Sequence, residues 1–158
     1  MEFAKYVNEY LHGYIRFADA KAGVVFLIAG AMLGYLIQEG SVPQFREFPS
    51  GETILFLFAS LPDVLAMALG LRIVYPRLTT DNTRRGVIFW EDIRKFTDGQ
   101  EYATEMAKLT DDTQRAEALA LENYLLAKIA HGKYDQLQLA LACTGVGAFF
   151  TLVLVIFY

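Results

Sequence analysis

Asp63 is the residue of this sequence whose type and position most suggest a role in function. It follows Pro62 and is the single charged residue of the apolar run Thr53–Leu71. An ionisable side chain at that depth in a membrane is costly, so it normally faces a partner or water. The alternative is a neutral, protonated Asp63 that hydrogen-bonds a neighbouring helix, and the sequence leaves both interpretations open.

The rest of the sequence carries no recognisable catalytic pattern. His12 and His131 are isolated, and the single cysteine, Cys143, lies in an apolar run, where we expect a small packing residue. The sequence contains no P-loop, H-E-x-x-H, C-x-x-C or G-x-S-x-G pattern. We therefore expect a protein that is not an enzyme and that holds no metal and no cofactor.

Composition indicates a membrane protein of one unit. Of 158 residues, 54% are hydrophobic, and they are concentrated in three runs, as expected for membrane spans. The formal net charge is −4, and Arg72–Gln136 holds ten Lys/Arg against eleven Asp/Glu. No basic patch stands out, so we expect no nucleic-acid partner.

The three apolar runs predict transmembrane helices at residues 19–37, 53–71 and 137–158, with an external loop at 38–52. The first run needs Asp19 and Lys21 to reach the roughly 20 residues that cross a bilayer, with the Lys21 ammonium extending to the interface.

Small residues recur on two of the predicted spans. Gly30 and Gly34 are four positions apart on the first span, and Ala142, Gly145 and Ala148 follow at three-residue spacing on the last. Such spacing allows close helix–helix contact, so we expect the spans to pack closely and the protein to self-associate.

The segments outside the spans predict further helices. Residues 1–18 form an amphipathic pattern that we expect to pack against the charged block rather than lie on the membrane. Gly86–Thr97 is predicted to be a short helix. Asp98 with Glu101 forms a capping box before the next helix. Asp111 with Gln114 repeats that pattern and opens a helix expected to run from about Asp112 to near Tyr158.

Positive charge sets the expected orientation. Three Lys/Arg (Lys5, Arg16 and Lys21) precede the uncharged run Ala22–Ile37, the loop 38–52 has one, and residues 72–136 have ten. The positive-inside rule then places the N-terminus and residues 72–136 in the cytoplasm. The predicted fold is an all-α membrane protein: three transmembrane helices, and a cytoplasmic helical bundle formed by the N-terminal helix and the segment between spans 2 and 3.

Three short signatures resemble one known family over nearly the whole chain. The first is Asp19-Ala-Lys-Ala-Gly23, which opens the first span. The second is Tyr75-Pro-Arg-Leu78 followed by Gly86-Val-Ile-Phe-Trp-Glu-Asp-Ile93, and the third is Ala127-Lys-Ile-Ala-His-Gly-Lys-Tyr134. Together they resemble the transmembrane effector of Pycsar, the pyrimidine cyclase system for antiphage resistance.

The resemblance implies a function. A partner cyclase would make cyclic UMP (cUMP) or cyclic CMP (cCMP) on infection. The effector would respond to that nucleotide and disrupt the bacterial inner membrane, which amounts to abortive infection. The ligand implied is thus cUMP or cCMP, and the resemblance does not say which.

Residue types then supply candidate contacts for such a ligand. Arginine suits the phosphate, an aromatic face suits the base, and an amide suits the edge of the base. Asn123 is the most informative candidate, because a polar residue on an apolar helix stripe needs a partner. The candidate nucleotide-binding residues are Arg77, Arg84, Arg85, Phe89, Tyr102, Asn123 and Lys133.

Two other functions stay open at this point. The chain is compatible with a membrane adaptor whose cytoplasmic bundle binds a protein partner, and with a small channel or transporter subunit that uses Asp63. Binding of a cyclic pyrimidine nucleotide would separate the effector from both.

Overall fold

The structure is a computed structural model that describes residues 2–38, 51–75 and 86–157. The described chain is helical, with no strand in those ranges, so the predicted fold class is confirmed. The helices are α1 (Glu2–Gln38), α2 (Gly51–Val74), α3 (Trp90–Ile93), α4 (Gly99–Ala107) and α5 (Asp112–Phe157). Helices α1, α2 and α5 are each long and apolar enough to cross a membrane.

The described residues form two compact units. We call residues 2–16 with 86–132 the polar unit, and residues 17–38, 51–75 and 133–157 the span unit. Helices α1 and α5 continue without a break from one unit into the other. The predicted long helix from Asp112 is therefore confirmed.

Small side chains let the three helices of the span unit pack closely. Ala22 and Ala29 of α1, Ala66 of α2 and Ala140 of α5 are fully buried in one apolar cluster. At Gly70 of α2, an added Cβ would lie 3.2 Å from the Ala22 carbonyl oxygen, so the two helices nearly touch there. Large apolar side chains instead cover the outside of the helices, as a lipid environment requires.

The small-residue face predicted on the last span is not the face that packs within the chain. Ala142 and Gly145 are exposed, whereas Thr144 and Gly147 are buried. On α1, Gly30 approaches Met67 while Gly34 is exposed. The self-association predicted from the sequence stays a prediction, and these exposed small residues are the ones that it would use.

Helix starts in the polar unit follow the predicted capping residues. The Asp98 carboxylate accepts a hydrogen bond from the Glu101 amide at 2.8 Å, and Glu101 accepts one from the Thr97 amide at 2.7 Å. Asp111 likewise accepts one from the Gln114 amide at 2.8 Å. Both predicted caps are confirmed.

The predicted helix over Gly86–Thr97 is wrong in extent. The structure has one helical turn there, Trp90–Ile93. Val87 and Ile88 before it are β-branched and Gly86 is flexible, all of which disfavour helix. After it, the Phe96 amide donates to the Ile93 carbonyl, a three-residue turn that ends the helix before the Asp98 cap.

The first turns of α1 divide the predicted apolar face in two. Val7, Leu11 and Ile15 are half-buried, whereas Phe3 and Tyr6 keep 78% and 65% of their surface exposed. Packing of this helix therefore uses the aliphatic side chains and leaves an aromatic stripe on the surface.

Candidate functional site

A buried lysine ties together the three helices of the span unit. The Lys133 ammonium on α5 pairs with the Asp19 carboxylate on α1, and it donates a hydrogen bond to the Ile73 carbonyl on α2 at 2.8 Å. The Lys133 side chain is 6% exposed. The Ile73 carbonyl lies in the last turn of α2, where carbonyl groups lack helical partners and attract cations. We call this arrangement the Lys133 clamp.

Two signatures noted in the sequence meet in the Lys133 clamp. Asp19 opens the first signature and Lys133 is in the third, although 114 positions separate them. The Lys133 ammonium is in an ion pair within the span unit, and its predicted contact with a nucleotide stays a prediction. Sequence reasoning missed Asp19 as its partner. The available signal was that Asp19 and Lys133 each lie at the edge of an apolar run.

Asp63 is fully buried at the contact of α2 with α5. Its side chain is 0% exposed, and neither carboxylate oxygen has a hydrogen-bond partner among the described residues. A Cβ added at Gly147 of α5 would collide with this carboxylate, so a larger residue there would require the Asp63 side chain to move. The hydrogen bond to a neighbouring helix, one of the two interpretations of Asp63, is not seen in the described part of the chain.

A second polar atom of the span unit shares that situation. The Thr151 hydroxyl, four positions after Gly147 on the buried face of α5, also lacks a hydrogen-bond partner in the described ranges. Thr144, by contrast, donates to the Ala140 carbonyl at 2.9 Å on its own helix. The buried face of α5 therefore carries hydroxyl groups that the packing of apolar side chains does not require.

Asn123 joins α5 to the start of α1 in the polar unit. Its amide nitrogen donates to the Ala4 carbonyl at 2.9 Å, and its amide oxygen accepts from the Asn8 amide at 3.0 Å. The side chain is 9% exposed. The expectation that Asn123 needs a partner is confirmed, and the partner in this structure is α1. Its contact with a nucleotide stays a prediction.

Tyr102 and Phe89 lie near the segment that precedes α3. The Tyr102 hydroxyl donates to the Val87 carbonyl at 3.0 Å, and its ring meets Phe96 edge-on with centroids 5.4 Å apart. Phe89 is half-buried, and its carbonyl accepts from the Asp92 and Ile93 amides. Tyr102 therefore positions the segment around Val87. Arg77, Arg84 and Arg85 lie outside the described residues.

Two buried carboxyl groups of the polar unit were missed by sequence reasoning. Asp92 on α3 and Glu122 on α5 are 8% and 7% exposed. Burial, and after it the nearby charge of Asp92, raises the pKa of Glu122 above its ordinary value of 4.5. The available signal was that Glu122 lies three positions after Leu119 and four before Leu126, the spacing of residues that share a helix face. No metal-binding group of His, Cys, Asp and Glu occurs among the described residues.

These features define a class of protein: a membrane protein with three spanning helices, an attached helical polar unit, and acids buried in both units. The Pycsar effector protein domain family, PycTM, matches residues 3–158. The Pycsar effector protein SaPycTM of Staphylococcus aureus is 30% identical over 146 residues, covering 92% of this chain and 88% of that protein. No solved structure matches the chain.

The chain belongs to the Pycsar effector family. It is therefore a transmembrane effector of antiphage defence, as the three signatures suggested. The family acts at the membrane and is not known for enzymatic activity.

Proposed function

We propose that this effector responds to a cyclic pyrimidine mononucleotide, cUMP or cCMP, by rearranging an oligomer of its spans and disrupting the inner membrane, so that infection is abortive. The nucleotide would come from a partner cyclase. Membership of the Pycsar effector family supports the ligand class. The observation that carries the membrane step is the buried Asp63 carboxylate, which has no hydrogen-bond partner in the described residues.

The span unit contains both a restraint and a source of instability. The Lys133 clamp joins all three helices through one ammonium group. Asp63, in contrast, costs free energy in the packed arrangement, because burying a polar group without a hydrogen bond is unfavourable. A rearrangement that admits water to Asp63 would recover that cost, which favours opening once the helices are displaced.

Backbone continuity provides the route from ligand to membrane. Helices α1 and α5 each contribute residues to the polar unit and to the span unit. Ligand binding that moves the start of either helix would therefore act on the same helix that holds Asp19 or Lys133. One protomer has too few spans to enclose a pore, so the proposal requires self-association.

The experiment is loss of membrane potential in cells that express the effector together with its cyclase. We expect the parent protein to depolarise the cells and Asp63→Ala to depolarise them less, while nucleotide binding by the purified variant stays unchanged. Full depolarisation by Asp63→Ala would make Asp63 a packing residue. Crosslinking that shows monomers with and without nucleotide would contradict the oligomer.

Two parts of the proposal rest on the sequence. The N-terminus and residues 72–136 are proposed to be cytoplasmic, so a periplasm-active reporter should work after Tyr158 and fail when inserted near Gly99.

Arg84 or Arg85 is proposed to contact the phosphate, so Arg84→Ala or Arg85→Ala should weaken nucleotide binding about tenfold to a hundredfold. Unchanged affinity in both variants would contradict that assignment.

A further inference from the structure

The polar unit contains a small cavity beside α3. Its volume is about 110 Å³, and it lies between the segment around α3 and one face of α5. Pockets that enclose a whole drug-sized ligand measure roughly 300–1,000 Å³, so this cavity has room for one ring and not for a complete nucleotide. We call it the acid cavity. It is lined by Gly86, Val87, Ile88, Asp92, Ala118, Leu121, Glu122 and Leu125.

Glu122 is the first sign that the acid cavity takes a ligand. Its side chain is 7% exposed and lines the cavity, and it makes no hydrogen bond with the residues that the structure describes. Buried polar groups in folded proteins almost always have such a partner. A group entering the cavity would provide one.

Asp92, on α3, adds a hydrogen-bond acceptor to the lining. Its Oδ1 forms an ion pair with the Lys95 ammonium at 2.6 Å, so Asp92 carries a charge there. A Cβ added at Gly86 would lie 2.7 Å from Asp92 Oδ2. The absence of a side chain at Gly86 allows this close approach. The remaining lining is aliphatic and suits the faces of a flat ring.

We propose that the acid cavity holds the pyrimidine ring of the cyclic nucleotide and selects cytosine over uracil; this rests on the proposed function. An ionised carboxylate only accepts hydrogen bonds. Cytosine presents the N4 amino donor that Asp or Glu accepts from, whereas uracil, like thymine, presents the O4 acceptor at that position. An Asp92 oxygen placed at position 4 of the ring therefore accepts from the cytosine amino group and repels the O4 of uracil.

Glu122 completes the edge of the base. A protonated carboxyl group both donates and accepts, and it can donate to the ring nitrogen N3 of cytosine while accepting from N4. Burial and the charge of Asp92 raise the pKa of Glu122, which favours that protonated form. The two acids thus have different roles: Glu122 matches the base edge and Asp92 discriminates between the two bases.

Calorimetry on the full-length protein in detergent tests the assignment, with cCMP and cUMP as the probes. We expect the wild-type protein to bind cCMP about tenfold to a hundredfold more tightly than cUMP. Asp92→Asn offers an amide that can donate to O4, so the preference should fall close to one. Glu122→Gln keeps one donor and one acceptor and should retain binding, whereas Glu122→Leu should abolish it.

A cavity-filling variant covers the case in which Asp92→Asn does not fold. Ala118 lines the acid cavity, so Ala118→Leu should abolish binding of both nucleotides with helicity retained, as judged by circular dichroism. Ala120→Leu is the matched control, because Ala120 is exposed on the same helix and does not line the acid cavity. Unchanged binding in Ala118→Leu would overturn the assignment.

The outcomes separate this inference from the function on which it rests. Equal affinity for the two nucleotides, or tighter binding of cUMP, would overturn the selection of cytosine and leave the proposed function standing. A cCMP preference that Asp92→Asn leaves unchanged would overturn the role of Asp92. If the folded wild-type protein binds neither nucleotide, the proposed function itself fails.

Discussion

Asp63 in the span unit and Glu122 in the polar unit are both buried acids. The Asp63 carboxylate oxygens are fully enclosed and have no hydrogen-bond partner among the described residues, and Glu122 makes no hydrogen bond with those residues. They differ in the space around them. Gly147 lies so close to Asp63 that no Cβ fits between them, whereas Glu122 borders a cavity of about 110 Å³. A carboxyl group with no adjoining space can gain a hydrogen-bond partner only if the helices move. A carboxyl group beside a cavity can gain one from a ligand.

The two units also differ in how they are packed. Of the buried apolar side chains in the described ranges, Leu126 and Ala130 alone belong to the polar unit. That unit is joined instead by polar links such as Asn123 to α1. A region with few buried apolar contacts opens at low free-energy cost, which suits a sensor. In the span unit, close packing through small residues favours a few discrete arrangements of the helices.

The largest effect is expected from breaking the Lys133 clamp. Lys133→Met keeps an apolar side chain of similar length but leaves Asp19 without its partner. We expect a loss of about 3 kcal/mol in the free energy of unfolding, at the lower end of the range for buried pairs because Asp19 retains 33% exposure. Thermal unfolding in detergent measures it.

The control for Lys133→Met is the double variant with Asp19→Asn, which removes the orphaned charge. Part of the lost stability should return in the double variant. If Lys133→Met unfolds at the wild-type temperature, the ion pair does not hold the three helices together.

A smaller effect is expected from adding a methyl group beside Asp63. Gly147→Ala places a Cβ against the carboxylate and should cost about 1–3 kcal/mol, as overpacking of an interior does. Gly145→Ala is the matched control, since its Cβ would meet nothing within 4 Å. Equal unfolding temperatures for the two variants would mean that α2 and α5 are not in close contact at Asp63.

The smallest effect concerns pH and Glu122. The pKa of Glu122 in the folded protein is raised above 4.5. The contribution of Glu122 to the free energy of unfolding is therefore complete below pH 4.5 and is lost as the pH rises through its pKa in the folded protein. Glu122→Gln has no carboxyl group to ionise. The variant should therefore unfold at a higher temperature than wild type at neutral pH, and at the same temperature below pH 4.5. A pH-independent difference would contradict a raised pKa.

The fold was predictable because its signals are local. Apolar runs marked the spans, and Asp98 and Asp111 marked two helix starts through side chain to backbone hydrogen bonds. The helix around Gly86–Thr97 was overestimated because its aromatic spacing outweighed the low helix propensity of Val87 and Ile88.

The candidate site was less predictable because its contacts join distant parts of the chain. Asn123 needed a partner, but no pattern pointed to Ala4, 119 positions away. Lys133 was assigned to a phosphate contact, and no pattern in the sequence pointed to Asp19, 114 positions away, as its partner. Glu122 resembled a surface acid of an amphipathic helix, because charged positions on helices are usually solvated.

The most direct test of the central claim, that this effector opens membranes in response to a cyclic pyrimidine nucleotide, is dye release from liposomes containing the purified protein. Added cCMP or cUMP should release the trapped dye from these liposomes and not from protein-free ones, and cyclic AMP should release none. If liposomes with inserted, folded protein retain their dye at saturating cCMP and cUMP, the claim is contradicted.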